Sequence, residues 1–452
     1  MLPVDSDHKA TEIQLFSLSS PHMKAFHLAW LSLFSCFFST FSIPPLLPII
    51  KKDLNLTPSD VGKAGIGSFL GSIFSRLAMG PICDFFGPRI ASATLSLLTA
   101  PVICSMSLIS SPQAFILVRF LIGFSLANFV ANQFWMSSMF SGSVVGFANG
   151  VAAGWANVGS GVTQLVMPLI YSLLMTTFGM RSSIAWRMAF LVPAIFQVVT
   201  ALLVLFFGQD LPDGNYKSTK RFQNSPKLQE ESVLTVLFNG LTNYRGWILA
   251  LTYGFSFGVE LTTDNIIAEY FYDRFNLDIE TAGAIAASFG LANLVSRPAG
   301  GVISDEMGRR FGMRGRLWSL WLVQILAGLL CVLLGRVNSL WASILVMCCF
   351  SLFVQAASGL IFGVVPFVSK RSLGVISGMT GSGGTLGAVV TQLLLFSGSN
   401  NISTQNSISS MGLMMLVCTF PVTLIYFPQW GGMFCGPSVG RDSSAGSYRL
   451  LE

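Results

Sequence analysis

The chain carries little charge. Asp, Glu, Lys and Arg make up 10% of its 452 residues, against about a quarter in an average soluble domain. Hydrophobic residues account for 52%, and the mean hydropathy is +0.66. So few charged side chains cannot cover the surface of a soluble globule of this length. The composition therefore predicts an integral membrane protein.

Histidine is scarce as well, and the cysteines are scattered. The three histidines are His8, His22 and His27, and no nucleophile, metal-ligand or phosphate-loop motif accompanies them. The eight cysteines lack the spacing of a metal site or a disulfide framework. The net charge of +6 is spread over short loops rather than gathered in one basic stripe. We therefore expect no enzymatic activity, no cofactor, no metal site and no nucleic-acid partner.

Long apolar runs are what the chain has instead. A membrane-spanning helix needs about 20 mostly apolar residues, and the sequence contains twelve such runs, six in each half. They cover roughly residues 25–50, 64–83, 90–109, 114–138, 147–174, 186–207, 247–265, 282–304, 317–335, 341–368, 374–396 and 410–427.

The two halves of the chain repeat each other. SRLAMGPICDFFGPR (75–89) and SRPAGGVISDEMGRR (296–310) are identical at eight positions with an offset of 221 residues. Gly146, Gly150, Gly159 and the VTQL segment after them recur with an offset of 228. Both pairs keep the same inferred direction, which is typical of the parallel repeats of the major facilitator fold. We therefore predict an all-α integral membrane protein of twelve transmembrane helices in two parallel six-helix repeats.

The positions of Lys and Arg predict the orientation, because cytoplasmic loops hold an excess of them. With both termini cytoplasmic, that side holds sixteen and the other seven, while Arg76, Arg119 and Arg297 lie within helices. The predicted units are a cytoplasmic N-terminal tail (1–24), an N-terminal bundle (25–207), a cytoplasmic linker (208–244), a C-terminal bundle (245–428) and a cytoplasmic C-terminal tail (429–452).

Two arginines are the main candidates for a binding site. Arg76 and Arg297 occupy matching positions of the repeat, on helix faces made of small and polar residues. A charged side chain at this depth costs at least about 2.5 to 3.5 kcal/mol, which marks it as a functional candidate. The guanidinium group is a planar fork of N–H donors that suits a planar oxyanion. The alternative is that each arginine bonds backbone carbonyls or a buried carboxylate of another helix.

The aspartates of the repeat lie too far along the helix to neutralise these arginines. Asp84 and Asp305 each come eight residues later, about 12 Å along the helix axis. We expect them at the cytoplasmic ends, where they pair with Arg89 or Arg310, or cap neighbouring helix N-termini across the gap. All four residues are predicted to have a gating role.

The fifth and seventh spans add polar groups to the predicted pore. Asn157 and Gln164 lie on a glycine-rich face, so their amides are candidates to donate to a bound oxyanion, although the glycines suit close helix packing equally well. Tyr253 and Phe257 are candidates to wall a small ligand, with ordinary aromatic packing as the alternative.

Two carboxylates follow on the same face of the seventh span. Glu260 and Asp264 are candidates for proton coupling, since a low dielectric disfavours the charged form of a carboxylate. The alternative is that they pair with Arg274 or line a wet vestibule.

Seven segments carry a family resemblance. They are FHLAWLSLFSCFFSTF (26–41), GSIFSRLAMGPICDFFGPR (71–89), RFLIGFSLANF (119–129), AAGWANVGSGVTQL (152–165), YGFSFGVELTTDN (253–265), SRPAGGVISD (296–305) and GSGGTLGAVVTQ (381–392). Together they resemble the signatures of the nitrate/nitrite porter branch of the major facilitator superfamily, and within it the plant high-affinity nitrate transporters, over nearly the whole chain.

The resemblance implies a nitrate carrier. Arg76 and Arg297 would clamp nitrate from the two halves, with Asn157 and Tyr253 in support, and the plant branch implies proton symport. A nitrate/nitrite exchanger and a nitrate sensor without transport are the alternatives within the family. A sugar or drug facilitator would share the fold but would not require two pore arginines.

The resemblance bears on location and partners too. The linker and the C-terminal tail are short for plant members, and the resemblance leans toward the vacuolar-membrane, seed-associated type rather than the root plasma-membrane type. Many plasma-membrane members require a small single-span accessory protein, which is a further candidate partner, although the short tail argues against that requirement. The expected partners are thus nitrate or nitrite, protons and the lipid bilayer.

Overall fold

The computed structural model describes residues 2–215, 233–277, 279–396 and 403–438. Within these ranges the chain is almost entirely helical. In chain order the helices are α1 (His22–Thr40), α2 (Leu47–Asp53), α3 (Pro58–Phe86), α4 (Pro88–Cys104), α5 (Pro112–Ile122), α6 (Asn128–Met139), α7 (Val145–Thr176), α8 (Ser182–Ala189), α9 (Leu191–Phe207), α10 (Val233–Leu241), α11 (Tyr244–Gly254), α12 (Phe257–Phe275), α13 (Ile279–Leu291), α14 (Asn293–Leu334), α15 (Leu340–Val364), α16 (Leu373–Leu395) and α17 (Thr404–Thr419).

Short elements join or extend these helices. Several spans contain one turn or two of 3₁₀ helix, and a two-stranded antiparallel hairpin follows α17. The 3₁₀ segments are Pro44–Leu46, Ser105–Leu108, Gly123–Ala127, Val365–Phe367 and Phe420–Leu424, and the strands are β1 (Tyr426–Phe427) and β2 (Gly431–Gly432).

Ten stretches of the described residues are long and apolar enough to cross a membrane. One of them, Ala284–Leu334, holds two spans, because the chain doubles back at Gly312. Gly312 has φ 64° and ψ −152°, a conformation that only glycine adopts readily. A Cβ built on Gly315 would lie 2.2 Å from the carbonyl oxygen of Met307, which shows the two arms side by side.

The seventh span is the one that the hydropathy criterion omits. It runs through α11 and α12, which are separated by Phe255 and Ser256, and α12 contains several acidic residues. The sequence predicted one uninterrupted apolar run over 247–265, whereas the helix breaks in the middle of it. Adding this span and dividing the doubled one gives twelve spans among the described residues, six in each half. The predicted fold class is confirmed.

The two ends of the described part of the chain lie at the same end of the bundle, which we call the inner end. The amide of Ala10 donates to the carbonyl of Met139, and the amide of Ser141 donates to the carbonyl of Ala10. On the other half, the Tyr244 hydroxyl donates to the carbonyl of Tyr426. The N-terminal segment is therefore packed on the bundle rather than trailing from it.

The two halves contact each other at the inner end through two matching helix pairs, α3 with α16 and α14 with α7. A Cβ on Gly80 would lie 2.5 Å from the carbonyl oxygen of Gly374, and a Cβ on Gly301 would lie 2.2 Å from that of Gly146. The backbones approach this closely because neither partner has a side chain at these positions. These glycines thus serve close packing between the halves.

Candidate functional site

The two arginines of the sequence repeat meet at the centre of the molecule. Arg76 on α3 and Arg297 on α14 come from opposite halves and are 0% and 1% exposed. Their Cζ atoms lie 5.6 Å and 5.2 Å from the centre of the same ring, that of Phe257. The structure therefore brings together three of the residues predicted for the site.

The break in the seventh span positions the residues around this ring. The helix stops at Gly254 and restarts at Phe257, which leaves carbonyl groups without their usual helical partners. The side-chain amide of Gln324 donates to the carbonyls of Phe255, at 2.8 Å, and of Thr252, at 3.4 Å. These two bonds from a neighbouring span supply partners to backbone carbonyls at the helix break, in the buried interior.

Four aromatic rings pack below the arginines. Tyr253 and Phe257 stack at 5.1 Å between centroids, and Phe129 of α6 stacks on both, at 6.0 and 6.2 Å. Phe362 of α15 closes the group edge-on, at 5.0 Å from Phe129 and 5.2 Å from Tyr253. Tyr253 and Phe257 thus take part in aromatic packing next to the arginines. Phe129 and Phe362 were not predicted, because nothing in their own segments marks them.

Backbone carbonyls hold Arg76. Its Nη1 donates to the carbonyl of Gly381 at 2.6 Å and its Nε to that of Leu126 at 3.2 Å. Leu126 lies in the 3₁₀ segment between α5 and α6. The Cζ atom of Arg76 lies 5.2 Å from the ring centre of Phe129. These contacts fit the alternative that an arginine bonds carbonyls, yet they do not neutralise its charge.

A carboxylate holds Arg297. Nη2 of Arg297 lies 2.8 Å from Oε2 of Glu260, which is 2% exposed, and the Asn293 amide donates to Oε1 of the same carboxylate at 2.6 Å. Glu260 therefore pairs with Arg297 and not with Arg274, which bonds the Tyr270 hydroxyl instead. The site thus contains two guanidinium groups and one carboxylate, so its basic groups outnumber its acidic ones.

Four buried donor atoms at the site have no hydrogen-bond partner within the described part of the chain. They are Nη2 of Arg76, Nε of Arg297, the hydroxyl of Tyr253 and Nδ2 of Asn157. Each unpaired buried polar group costs about 1 to 3 kcal/mol. Asn157 lies one turn after Gly154 on α7, a helix that packs beside Arg297, because a Cβ built on Gly154 would lie 3.3 Å from the Arg297 Cβ. The donor set fits a small anion with several acceptor oxygens.

Two further residues were predicted for the site, Gln164 on α7 and Asp264 on α12. Gln164 belongs to α7, but its side chain lies outside the described part of the structure. Asp264 is exposed, one turn of α12 beyond Glu260, and so is not part of the buried group around the arginines.

The two aspartates of the repeat bridge the halves at the inner end. Asp84 accepts the backbone N–H groups of Gly374 and Val375 at 2.9 and 3.1 Å, at the start of α16. Asp305 accepts those of Gly146 and Phe147 at 3.0 and 2.6 Å, at the start of α7. Each carboxylate thus caps a helix N-terminus of the opposite half, where the helix dipole favours negative charge.

The charged partner of Asp305 differs from the expectation. Arg310 pairs with Glu306 at 2.5 Å on the exposed surface, and Arg316 lies 2.8 Å from Asp305 instead. The hairpin at Gly312 folds α14 back on itself, which places Arg316 beside Asp305. In the predicted topology, Arg316 is one of the sixteen cytoplasmic Lys and Arg residues and has no further role. Its position four residues after Gly312 is the signal that could have indicated its contact with Asp305.

The other predicted gating arginine has a partner after the sixth span. The backbone N–H of Arg89 donates to Asp210 Oδ1 at 2.9 Å, and its Nε lies 3.7 Å from Oδ2 of the same carboxylate. Its Nη1 also donates to the carbonyl of Leu205 at 2.9 Å. Arg89, in the first turn of α4, therefore joins that helix to the end of α9 and to the segment after it.

The fold and the paired sites define a class of protein. Residues 29–392 match the Major Facilitator Superfamily, and the chain belongs to that superfamily. Its fold is similar to that of a transporter described as "FucP, in the outward conformation", with a TM-score of 0.65, 15% identity, and coverage of 88% of this chain and 98% of the other. It is a multi-pass membrane protein.

Three relatives narrow the class. The chain is 66% identical to the High affinity nitrate transporter 2.7 of Arabidopsis thaliana, over 100% of this chain and 93% of the relative. It is 59% identical to the High affinity nitrate transporter 2.5 of the same plant, over 100% and 89%. A Nitrate/nitrite transporter NrtP of Nostoc punctiforme is 26% identical over 90% and 92%. The chain thus belongs to the plant high-affinity nitrate transporter family.

Proposed function

We propose that this protein carries nitrate across a membrane by alternating access, coupled to proton symport. The observation that carries the proposal is the pair of buried arginines from opposite halves, Arg76 and Arg297, on one ring with unpaired donors. The names of the relatives, all transporters of nitrate, support the choice of substrate.

Nitrate matches the donor set in shape and charge. It is planar, with three equivalent oxygens, and a guanidinium group is a planar fork of N–H donors. Arg76 and Arg297 would grip it from two sides, while the Tyr253 hydroxyl and the Asn157 amide donate to the remaining oxygen lone pairs. The carbonyl partners of Arg76 hold its side chain in place before the anion arrives, which reduces the entropic cost of binding.

Glu260 supplies a physical basis for coupling. Its carboxylate competes with the anion for Arg297, because both bind the same guanidinium group. A proton on Glu260 removes that competition and raises the net charge of the site from one to two positive charges. Proton binding and anion binding then favour each other to the same extent, as linkage requires. In this proposal, Asp264, which is exposed and lies one turn away on α12, passes the proton to Glu260.

The inner end supplies a gate. Opening it separates α3 from α16 and α14 from α7, which breaks the backbone N–H bonds to Asp84 and Asp305. Rocking of the two halves around the central arginines would expose the site to each side in turn.

Nitrate flux in proteoliposomes tests the proposal. Uptake is measured with and without an imposed inward proton gradient, for the wild type, Arg76→Lys and the control Arg274→Lys. Arg274 is a half-buried arginine at the end of α12, in the C-terminal half, that bonds the Tyr270 hydroxyl and the carbonyl of Val337. We expect gradient-stimulated uptake that Arg76→Lys reduces by about tenfold or more, since Lys lacks the planar fork, and that Arg274→Lys leaves nearly intact.

The other outcomes separate the alternatives. Nitrate uptake driven by internal nitrite and indifferent to the proton gradient would replace symport with exchange. Nitrate binding without flux would replace transport with sensing. Nitrate binding that is unchanged in a folded Arg76→Lys protein would exclude the arginine site.

A further inference from the structure

A cavity lies at the inner end, and neither Arg76 nor Arg297 lines it. It has a volume of about 800 Å³ and straddles the two halves and the N-terminal segment. The N-terminal half contributes the end of α6 and the loop after it, and the C-terminal half contributes the loop before α16 and the hairpin. Its polar and charged lining residues are Asp5, Asp7, Lys9, Ser137, Ser138, Arg245, Ser369, Lys370 and Gln429.

Cations outnumber carboxylates in this lining. Lys9 and Lys370 line the cavity from opposite halves. Burial and the charge of Lys370 lower the pKa of Lys9, and the carboxylates of Asp5 and Asp7 oppose this shift only in part. Asp5 is already used within the N-terminal segment, because its Oδ1 accepts the backbone N–H groups of Asp7 and Lys9. The Nε of Arg245 donates to the carbonyl of Tyr426. An anion between the two lysines would relieve their mutual repulsion.

A group of buried amides lies next to the cavity. This amide cluster consists of Asn132 and Gln133 on α6 and Asn149 on α7, which are 2%, 1% and 0% exposed. Gln133 donates to Asn132 at 3.0 Å. Within the described residues, Asn132 Nδ2, Gln133 Oε1 and Asn149 Oδ1 have no hydrogen-bond partner. An unpaired amide in a buried interior costs free energy, and a polar solute or a water molecule would supply the missing hydrogen bonds.

Contacts connect the amide cluster to both sites. The Asn149 amide donates to the carbonyl of Phe362 and to the Ser137 hydroxyl, each at 3.1 Å. Phe362 packs against Phe129, which lies under Arg76. The carbonyl of Ser137, in turn, accepts a bond from Lys9 Nζ at 2.9 Å. A continuous series of contacts therefore runs from the arginine site, through the amide cluster, to the cavity.

We propose that this cavity is a second anion site, in which Lys9 and Lys370 hold a small inorganic oxyanion that has left the arginine site past the amide cluster. The inference rests on the proposed function for the identity of this anion as nitrate. In the present arrangement, Phe129 and Phe362 block the path of the anion from the arginine site to the amide cluster. When the inner gate opens, the amides line the way out and the lysines receive the anion.

The N-terminal segment is thereby part of the transport machinery. Lys9 is held in place by the bonds of the adjacent Ala10 to Met139 and Ser141. Because the lining comes from both halves, movement of the halves changes the distance between Lys9 and Lys370. Occupancy of the second site therefore depends on the state of the inner gate.

Nitrate-dependent thermal stabilisation of the purified full-length protein tests the second site on its own. The measurement uses the Arg76→Ala background, or Arg76→Lys if that protein folds better, so that the arginine site is disabled. Nitrate replaces gluconate at constant ionic strength. We expect stabilisation at millimolar nitrate, and a half-effective concentration that rises about threefold or more in Lys9→Gln and in Lys370→Gln. Lys24→Gln is the matched control, because Lys24 lies over Phe207, outside the cavity.

The outcomes separate this proposal from the transport proposal. Loss of all nitrate-specific stabilisation in the Arg76 variant would overturn the second site, and so would a half-effective concentration that Lys9→Gln and Lys370→Gln leave at the Lys24→Gln value. A wild type that shows no flux would overturn the transport proposal, while lysine-dependent stabilisation would still uphold the second site.

A transport measurement checks the assignment to the inner side. Initial uptake is recorded at increasing internal nitrate in oriented proteoliposomes. We expect Lys9→Gln to raise the internal concentration that affects uptake by about threefold and to leave the external KM unchanged. An equal shift of the external KM would place the effect at the arginine site and overturn the proposal.

Discussion

Glu260 lies 2.8 Å from Arg297, whereas Arg76, the repeat counterpart of Arg297, bonds only carbonyl oxygens among its hydrogen-bond partners in the described structure. The two halves thus place equivalent arginines beside one ring, but Arg297 has a carboxylate partner and Arg76 has carbonyl partners. In our proposal, Arg76 is available to the anion at all times. Arg297 becomes fully available only when Glu260 is protonated and no longer competes with the anion.

Removing Arg297 should destabilise the protein more than removing Arg76. Arg297→Ala leaves Glu260 buried without its cation, and breaking a buried pair in this way costs about 3 to 5 kcal/mol. We expect a clear fall in the thermal unfolding midpoint in detergent, and a recovery of most of it in Arg297→Ala with Glu260→Gln. A double variant no more stable than the single one would contradict this account of the pair.

Replacing Glu260 should uncouple nitrate from protons. In the wild type, we expect nitrate affinity to fall as pH rises, because the ionised carboxylate competes for Arg297. Glu260→Gln keeps the shape and the bond from Asn293 but carries no charge, so affinity should become nearly independent of pH. The expected coupling is about tenfold, within the usual 1 to 3 kcal/mol range. Nitrate binding measured against pH checks it.

The control for this experiment is Glu306→Gln, which removes a surface carboxylate that pairs with Arg309 and Arg310. It should retain the wild-type pH dependence. If Glu260→Gln also retained it, the coupling carboxylate would have to be sought elsewhere, with Asp264→Asn as the next variant.

Asp305→Asn should loosen the inner gate. The substitution removes the charge that caps α7 and leaves buried Arg316 without its carboxylate, which weakens the closed state by about 1 to 3 kcal/mol. Spin labels at Phe86 and Phe311, both exposed near the inner end, report the separation of the halves once exposed Cys435 is replaced by Ser. We expect a new, longer distance, and an unchanged distribution would argue against a gating role.

Gly80→Ala should also open the inner end, by steric means. The added methyl would lie 2.5 Å from the carbonyl oxygen of Gly374, a backbone atom that cannot rotate away. Gly65→Ala in the same helix is the matched control, because a Cβ there meets nothing within 4 Å. We expect Gly80→Ala to lengthen the label distance and slow transport, while Gly65→Ala behaves as the wild type. Equal behaviour of the two variants would contradict close packing as the role of Gly80.

The sequence predicted much of the fold from local signals. Apolar runs located the spans, and the repeat paired the halves, since both properties can be counted along the chain. The sequence predicted the seventh span as one run. It does not indicate the break at Phe255, because the residues there are as apolar as their neighbours. What stabilises the break is Gln324, a residue of another span.

The candidate site divides in the same way. Arg76 and Arg297 are recognisable in the sequence because a charge is rare in an apolar helix. For Asp84 and Asp305, the sequence allowed either an ion pair or the capping of a helix N-terminus, and the structure shows the capping. Phe129 could not be found, because a phenylalanine in an apolar helix carries no signal of its own.

Hydropathy and the internal repeat by themselves determined that this chain is a twelve-span membrane protein with an arginine in each half, because spans and repeats depend on neighbouring residues alone. Only the tertiary structure decided which groups those arginines meet. Glu260 reaches Arg297 across 37 residues of chain, and Gly381 reaches Arg76 across 305. Contacts at such separations follow from how the helices pack, and helix packing depends on surfaces contributed by the whole bundle.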